Sequence, residues 1–281
     1  MSTEFIAATA PATKNTLHKV IVGFDGSTGA ETAVEWAACE AEQRDVFLRV
    51  LTCWAVPPEV DFYGAGRRQA DSLTAIVAAT KKRHPHLVVS SSATPMDPRD
   101  ALIDEAAKAD LLVIGSSTIG AARQLLLGSV AKTAARRSPC PVVVVRGAGV
   151  RPVRTIVVGI DGSSASAAAV DWACAEADFH RAQVVLIHAW EGDISRVDAQ
   201  RVIDVAVSEC HARTGAEVRG ELVDGSPAAA IVRASREADL VAIGSRGQSG
   251  FKTALFGSVA LSVADQAACP VAITHPRLRQ G

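Results

Sequence analysis

Residues Asp239–Ala260 read DLVAIGSRGQSGFKTALFGSVA. An apolar run ends in Gly244, glycines follow at 247 and 250, and Gly257-Ser258 opens a segment with helical periodicity. So much backbone freedom between a strand and a helix suits a loop that approaches a ligand closely with its main chain. Glycines admit positive φ, so successive N–H groups can turn inward as an anion nest. The free N–H groups and positive dipole end of a helix starting at Ser258 favour phosphate. The Ser258 hydroxyl can add a hydrogen bond, and Arg246 and Lys252 bring positive charge. Hydrogen bonds to charged oxygens contribute roughly 1.5–3 kcal/mol each, so four or five outweigh any single side-chain contact.

The stretch has an earlier, altered copy. ADLLVIGSSTIGAARQLLLGSVA from Ala109 aligns with it at an offset of 129. Upstream, VIVGFDGSTGAETAVEWAACEAE from Val20 aligns with IVVGIDGSSASAAAVDWACAEAD from Ile156 at an offset of 136. Gly23, Asp25, Gly26, Ser27, Trp36 and Glu40 thereby recur as Gly159, Asp161, Gly162, Ser163, Trp172 and Glu176, and Cys140-Pro141-Val142 recurs as Cys269-Pro270-Val271. One unit is written twice. The glycine- and proline-bearing Gly147–Pro152 reads as the linker, which makes 18–147 the first domain and 153–276 the second. Residues 1–17 read as a loose tail without the basic start and apolar core of a signal peptide.

Each half alternates strand and helix periodicity. In the second, strands are expected at Thr155–Ile160, Val184–Trp190, Ala216–Val223, Leu240–Gly244 and Val271–Thr274. Helices are expected from Ser163 or Ser164 to about Phe179, near Arg196–Arg213, near Pro227–Arg236 and over Ser258–Gln266. Apolar strands alternating with amphipathic helices predict parallel sheets covered on both faces, that is, two tandem doubly wound α/β domains. In such sheets ligands bind beyond the carboxyl ends of the strands where the strand order reverses. The two unusual loops, GIDGS after strand one and GSRGQSG after strand four, flank that point. The apolar last strands, Val142–Val145 and Val271–Thr274, would leave exposed edges unless the halves pack as a pseudo-twofold pair.

The bulk numbers agree. The chain has 281 residues, is 48% hydrophobic and carries 29 basic against 30 acidic side chains, ordinary for a globular protein and without the basic surplus of a nucleic-acid binder. The one dense basic run, Lys81-Lys82-Arg83-His84, reads as a solvated helix end. No apolar run approaches the ~20 residues of a membrane span. The six cysteines form no CxxC pair and are expected to be buried free thiols, consistent with a cytoplasmic protein.

The spacing Gly244-x2-Gly247-x9-Gly257-Ser258 matches the G-2x-G-9x-G(S/T) pattern of ATP-binding universal stress proteins, and the chain resembles a tandem member of that family from about His18 to His275. The resemblance implies, in each half, a five-stranded parallel sheet of order 3-2-1-4-5, ATP as the usual ligand, adenine read by main-chain groups at the end of strand two, and pairing through the last strand. Carried onto this chain, the second site comprises Gly159, Asp161, Ala189, Gly244, Arg246, Gly247, Gly250, Gly257, Ser258 and Val259. The first comprises Gly23, Asp25, Cys53, Gly115, Gly128, Ser129 and Val130. Asp161 and Asp25 would repel bare phosphate, so they are placed against ribose hydroxyls or a phosphate-bound Mg²⁺; both also suit an ordinary DGS turn. His188 reads as a strand residue rather than a base.

The first half departs from the pattern: Thr118 stands where Gly247 does, Ser117 replaces Arg246 and Arg123 aligns with Lys252. A threonine does not readily take the positive φ a glycine would supply, so site one is expected to be the weaker. The chain has no Walker A sequence, no SGGxDS pyrophosphatase loop and no HIGH/KMSKS-type pair. A nucleotide-dependent stress or signalling regulator is therefore the leading expectation, ahead of a nucleotide-free scaffold and a slow ATPase or transferase. Pairing of whole chains into a homodimer stays open.

Overall fold

The structure, a computed structural model, describes residues 19–54, 62–116, 127–146, 149–192, 194–247 and 257–276. The first half runs β1 (Lys19–Gly23), α1 (Thr28–Gln43), β2 (Phe47–Cys53), α2 (Phe62–Arg83), β3 (Val89–Thr94), α3 (Pro98–Ala106), β4 (Leu111–Gly115), α4 (Ser129–Arg137) and β5 (Val142–Val145). The second repeats it as β6 (Thr155–Gly159), α5 (Ser164–His180), β7 (Gln183–Trp190), α6 (Arg196–His211), β8 (Val218–Asp224), α7 (Pro227–Ala234), β9 (Leu240–Gly244), α8 (Ser258–Gln266) and β10 (Val271–Thr274).

All ten strands join one sheet of order β3-β2-β1-β4-β5-β10-β9-β6-β7-β8. Each half thus has the order 3-2-1-4-5. Every pairing is parallel except at the centre, where β10 runs antiparallel to β5 with Ala272 opposite Val143. Both of these strands are buried at all four positions. Pairing them removes the two apolar edges, and the outer edge that β3 leaves is the polar VSSSAT. Alternate strand residues feed two cores: Val20, Val22, Ile156 and Val158 pack with α1, α2, α5 and α6, whereas Ile21 and Val157 pack with α3, α4, α7 and α8.

Two pseudosymmetric ties lock the halves. At the first, α1 meets α5 through Glu40, Arg44, Glu176 and His180, two positions repeated at the offset of 136. Arg44 bonds Glu40 at 2.9 Å and also Glu176. His180 Nε2 lies 3.1 Å from Glu40 and 3.5 Å from Glu176, within ion-pair reach of both carboxylates. Both glutamates and the imidazole are nearly sealed, with 3–5% of their side chains exposed. Burial opposes charge on His180, but the two carboxylates outweigh it and raise its pKa to about 9. Burial likewise pushes the Glu40 carboxyl up, and His180 and Arg44 overcome that and hold it below its usual range.

The second tie repeats at the offset of 129. Arg146, just after β5, donates to the Ala264 and Asp265 carbonyls at the end of α8, and His275, just after β10, donates from Nε2 to the Ala135 carbonyl of α4 at 3.0 Å. Each half caps a helix C-terminus of the other.

Two expectations need correction. Cys174 of α5 and Cys210 of α6 form a disulfide (Cα–Cα 6.1 Å) instead of remaining free thiols, because the packing of these helices brings together residues 36 apart in sequence. Of the other cysteines, Cys140 and Cys269 are buried, whereas Cys39 and Cys53 are only partly so. In the basic run Lys81, Lys82 and Arg83 are exposed, but His84 is buried, 2.7 Å from Glu42. Elsewhere α6 stops at His211, short of the expected Arg213. Thr214 and the Gly215 amide bond the Asp178 carboxylate instead, which draws the chain out of the helix.

Candidate functional site

Strands β6 and β9 are parallel neighbours, Gly159 opposite Ile243, and their loops open at one end of the sheet. After β6, Gly162 takes φ +77° and the Asp161 Oδ1 accepts the Ser163 amide at 2.9 Å, so the DGS turn closes on its own aspartate. Ser163 then caps α5 by accepting from Ser166 N–H. A Cβ built on Gly247 would stand 2.6 Å from Asp161 Oδ2, which shows how closely the loop after β9 lies on that carboxylate. The Gly257 amide bonds the Ser245 carbonyl at 2.9 Å and pulls the far end of the loop back to its start. Gly250 and Lys252 lie outside the described residues.

Gly257 is the N-cap of α8 and provides no side-chain cap. The first intrahelical bond runs from Leu261 N–H to Gly257 C=O, so the amides of Ser258, Val259 and Ala260 have no intrahelical acceptor. Ser258 and Arg246 are exposed and Val259 is half-buried. The positive dipole end, amides with no acceptor among the described residues, a basic side chain and a carboxylate thus converge in the cleft between these two loops. The surface grooves between α6 and β8 and between α7 and α8 contain none of these residues.

The glycines act differently from the expectation. Among the described residues none of Gly244, Gly247 and Gly257 has positive φ; that conformation is used by Gly162 and Gly26 in the two DGS turns. Close approach is what demands glycine at 244, where a Cβ would meet the Ala165 carbonyl carbon and oxygen at 2.6 Å; a Cβ on Gly257 would meet Arg246 Cα at 3.4 Å, an ordinary contact. Gly159 is a packing glycine too, since its Cβ would fall 2.5 Å from Ile231 Cδ1.

At the end of β7, Ala189 is half-buried opposite Val223. His188 beside it is buried, and its Nδ1–H donates to the Ile160 carbonyl at 2.9 Å, which ties the end of β7 to the turn after β6. That bond makes it a strand-end strut. His275 was missed by sequence reading: burial first, and the Arg246 charge with it, hold its pKa below the ordinary value, so a neutral imidazole lies between this cleft and α4. Its repeat position opposite Arg146 was the available signal.

The first half repeats the frame. Asp25 accepts the Ser27 amide at 2.9 Å, Gly26 has φ +84°, and Gly115 lies against Gly29 so closely that a Cβ would be 2.5 Å from its carbonyl oxygen. Gly23 faces Leu102 at 3.3 Å on the same measure. Gly128 caps α4 without a side-chain bond, Ser129 is exposed and Val130 half-buried. Cys53 ends β2 half-buried, and burial, with Glu105 and Asp97, raises its thiol pKa to about 11. Ser117, Thr118 and Arg123 lie outside the described residues.

The universal stress protein family model matches residues 16–146 and again 152–275. A universal stress protein of Mycobacterium tuberculosis H37Rv is 32% identical over 289 positions, covering 92% of this chain and 97% of its own. The crystal structure of a universal stress protein from Archaeoglobus fulgidus superposes with a TM-score of 0.74 at 20% identity, over 92% of this chain and 98% of that one. A universal stress protein described in complex with cAMP matches one half only, 45% of this chain and 99% of its own, at 30% identity and a TM-score of 0.40. With both repeats matched by one family model and nearly the whole chain aligned to a relative, the protein belongs to the universal stress protein family, as a tandem two-domain member.

Proposed function

We propose that the second half, within a unit spanning residues 153–276, binds ATP, and that occupancy biases how the chain engages a partner. The carrying observation is the uncapped N-terminus of α8 beside a loop whose glycines let backbone and carboxylate touch. Phosphates fit the Ser258 and Val259 amides, with Arg246 as counter-charge. Asp161, whose Oδ2 lies against Gly247, would hold a ribose hydroxyl or Mg²⁺, which would neutralise phosphate charge, while Ala189 offers main-chain groups for adenine. In the first half the sequence puts Thr118 where the second has Gly247 and Ser117 where it has Arg246, so that site is the weaker. The family resemblance and the phosphate chemistry support this reading over a fast enzyme, because among the described residues of the two loops Asp161 is the one acid or base beside the site. Hydrolysis stays below roughly 1 s⁻¹, under ordinary enzyme values.

The test is to denature purified protein, quantify released nucleotide by chromatography, and titrate nucleotide-free protein with Mg-ATP by calorimetry. About one ATP per chain, lost in Gly257→Glu, supports the assignment; two would make both halves sensors. No released nucleotide and no heat at several temperatures would leave a protein-interaction scaffold.

A further inference from the structure

On the outer face of the first half, away from the nucleotide cleft, Glu35 and Cys39 lie one turn apart on α1, and His84 follows the last turn of α2. Glu35 carboxylate, Cys39 Sγ and a His84 ring nitrogen all lie within 4.8 Å of one another. His84 Nε2 is 3.3 Å from Glu35 Oε1, which is the edge of a tetrahedron with ligands at 2.0–2.1 Å, about 3.3 Å. Its other nitrogen, Nδ1, is 2.7 Å from Glu42. A carboxylate on the far nitrogen fixes the tautomer and aims Nε2 as a lone-pair donor, the usual support of a metal-bound histidine. Arg83 holds the other Glu35 oxygen, Oε2, at 2.7 Å, leaving Oε1 to the cluster. Sealing is partial: 9% of the His84 side chain, 30% of Glu35 and 40% of Glu42 are exposed, so an ion has a path in.

The duplicated half shows what this corner looks like when it is only structural. At the offset of 136, Glu35, Cys39 and Glu42 become Asp171, Ala175 and Asp178. There Arg213 pairs with Asp171 at 3.1 Å and Thr214 bonds Asp178, tying α6 to α5 with no thiol and no imidazole. The first half keeps the arginine pair, Arg83 on Glu35, but puts the His84 imidazole where Thr214 stands and the Cys39 sulfur where Ala175 stands, a borderline nitrogen and a soft sulfur of the types that select zinc-like ions.

We propose that Glu35, Cys39 and His84 form a binding site for a Zn²⁺-type divalent cation, with Glu42 orienting His84 and the fourth position open to solvent. With Cys39 as thiolate and Arg83 retained, the charges of Glu35, Cys39, Glu42, Arg83 and the ion sum to zero.

The test uses the full, metal-stripped chain titrated with Co²⁺ and then Zn²⁺. Expected are one Co²⁺ per chain with a thiolate-to-cobalt charge-transfer band, and displacement of that band by Zn²⁺. Cys39→Ala copies the residue the second half carries there, so packing survives, and it abolishes the band. Glu42→Gln keeps the band and weakens Zn²⁺ binding about 10-fold or more. Absence of the band in the unaltered chain, or a band and Zn²⁺ affinity unchanged in Cys39→Ala, overturns the proposal.

Discussion

Replacing His180 by glutamine tests the buried tie between the halves. Glu40, Glu176, Arg44 and His180 sum to zero charge only while the imidazole is protonated, and the structure raises its pKa from the ordinary 6.5 to about 9. At about 1.4 kcal/mol per pKa unit, that gap stabilises the folded chain by about 3 kcal/mol. Because the folded pKa lies above the unfolded one, the contribution is complete below pH 6.5 and is lost as the pH rises through 9. The assay is the free energy of urea unfolding of the unaltered chain and of His180→Gln at several pH values between about 6 and 10. Near pH 6 the variant should be less stable by about 3 kcal/mol, and near pH 10 the two should converge. His180→Arg, which restores the pseudosymmetric counterpart of Arg44, should keep its stability across the range. A difference between the unaltered chain and His180→Gln that is the same at both ends of the range would refute the charge argument.

Three further outcomes follow from the geometry. Gly244→Ala should cost roughly 1–3 kcal/mol in urea unfolding, because its Cβ would meet backbone atoms of Ala165 that cannot swing aside. Gly247→Ala, which meets only the end of the Asp161 side chain, should leave the unfolding free energy nearly unchanged while weakening Mg-ATP binding measured by calorimetry. Reducing the Cys174–Cys210 disulfide, which closes a loop 36 residues apart, should lower stability by up to about 4 kcal/mol, read as the drop in unfolding free energy with added reductant and absent from Cys174→Ala.

Much of the fold was legible because the apolar pattern is nearly uninterrupted. Leu240–Gly244, Ser258–Gln266 and Val271–Thr274 have the boundaries read from sequence, since glycine, proline and the periodicity change mark each end. The end of α6 falls short of the expected Arg213 where a tertiary bond, Thr214 to Asp178, takes over from a helix that propensity would have continued. The site was legible as a pair of loops at one sheet end, but the reason for its glycines was not. Whether a glycine serves φ or proximity depends on what packs against it, and Ala165 and Asp161 are far away in sequence.

The sequence by itself determined the duplication, the alternation of strand and helix, the family motif and the polarity that puts both loops at the carboxyl ends of β6 and β9, because these depend on local order and spacing. Only the tertiary structure decided which side chains of different elements meet. The Cys174–Cys210 bond, the Glu40–Arg44–Glu176–His180 cluster and the corner of Glu35, Cys39 and His84 all arise where two helices pack, and helix packing fixes distances between residues that no spacing along the chain encodes.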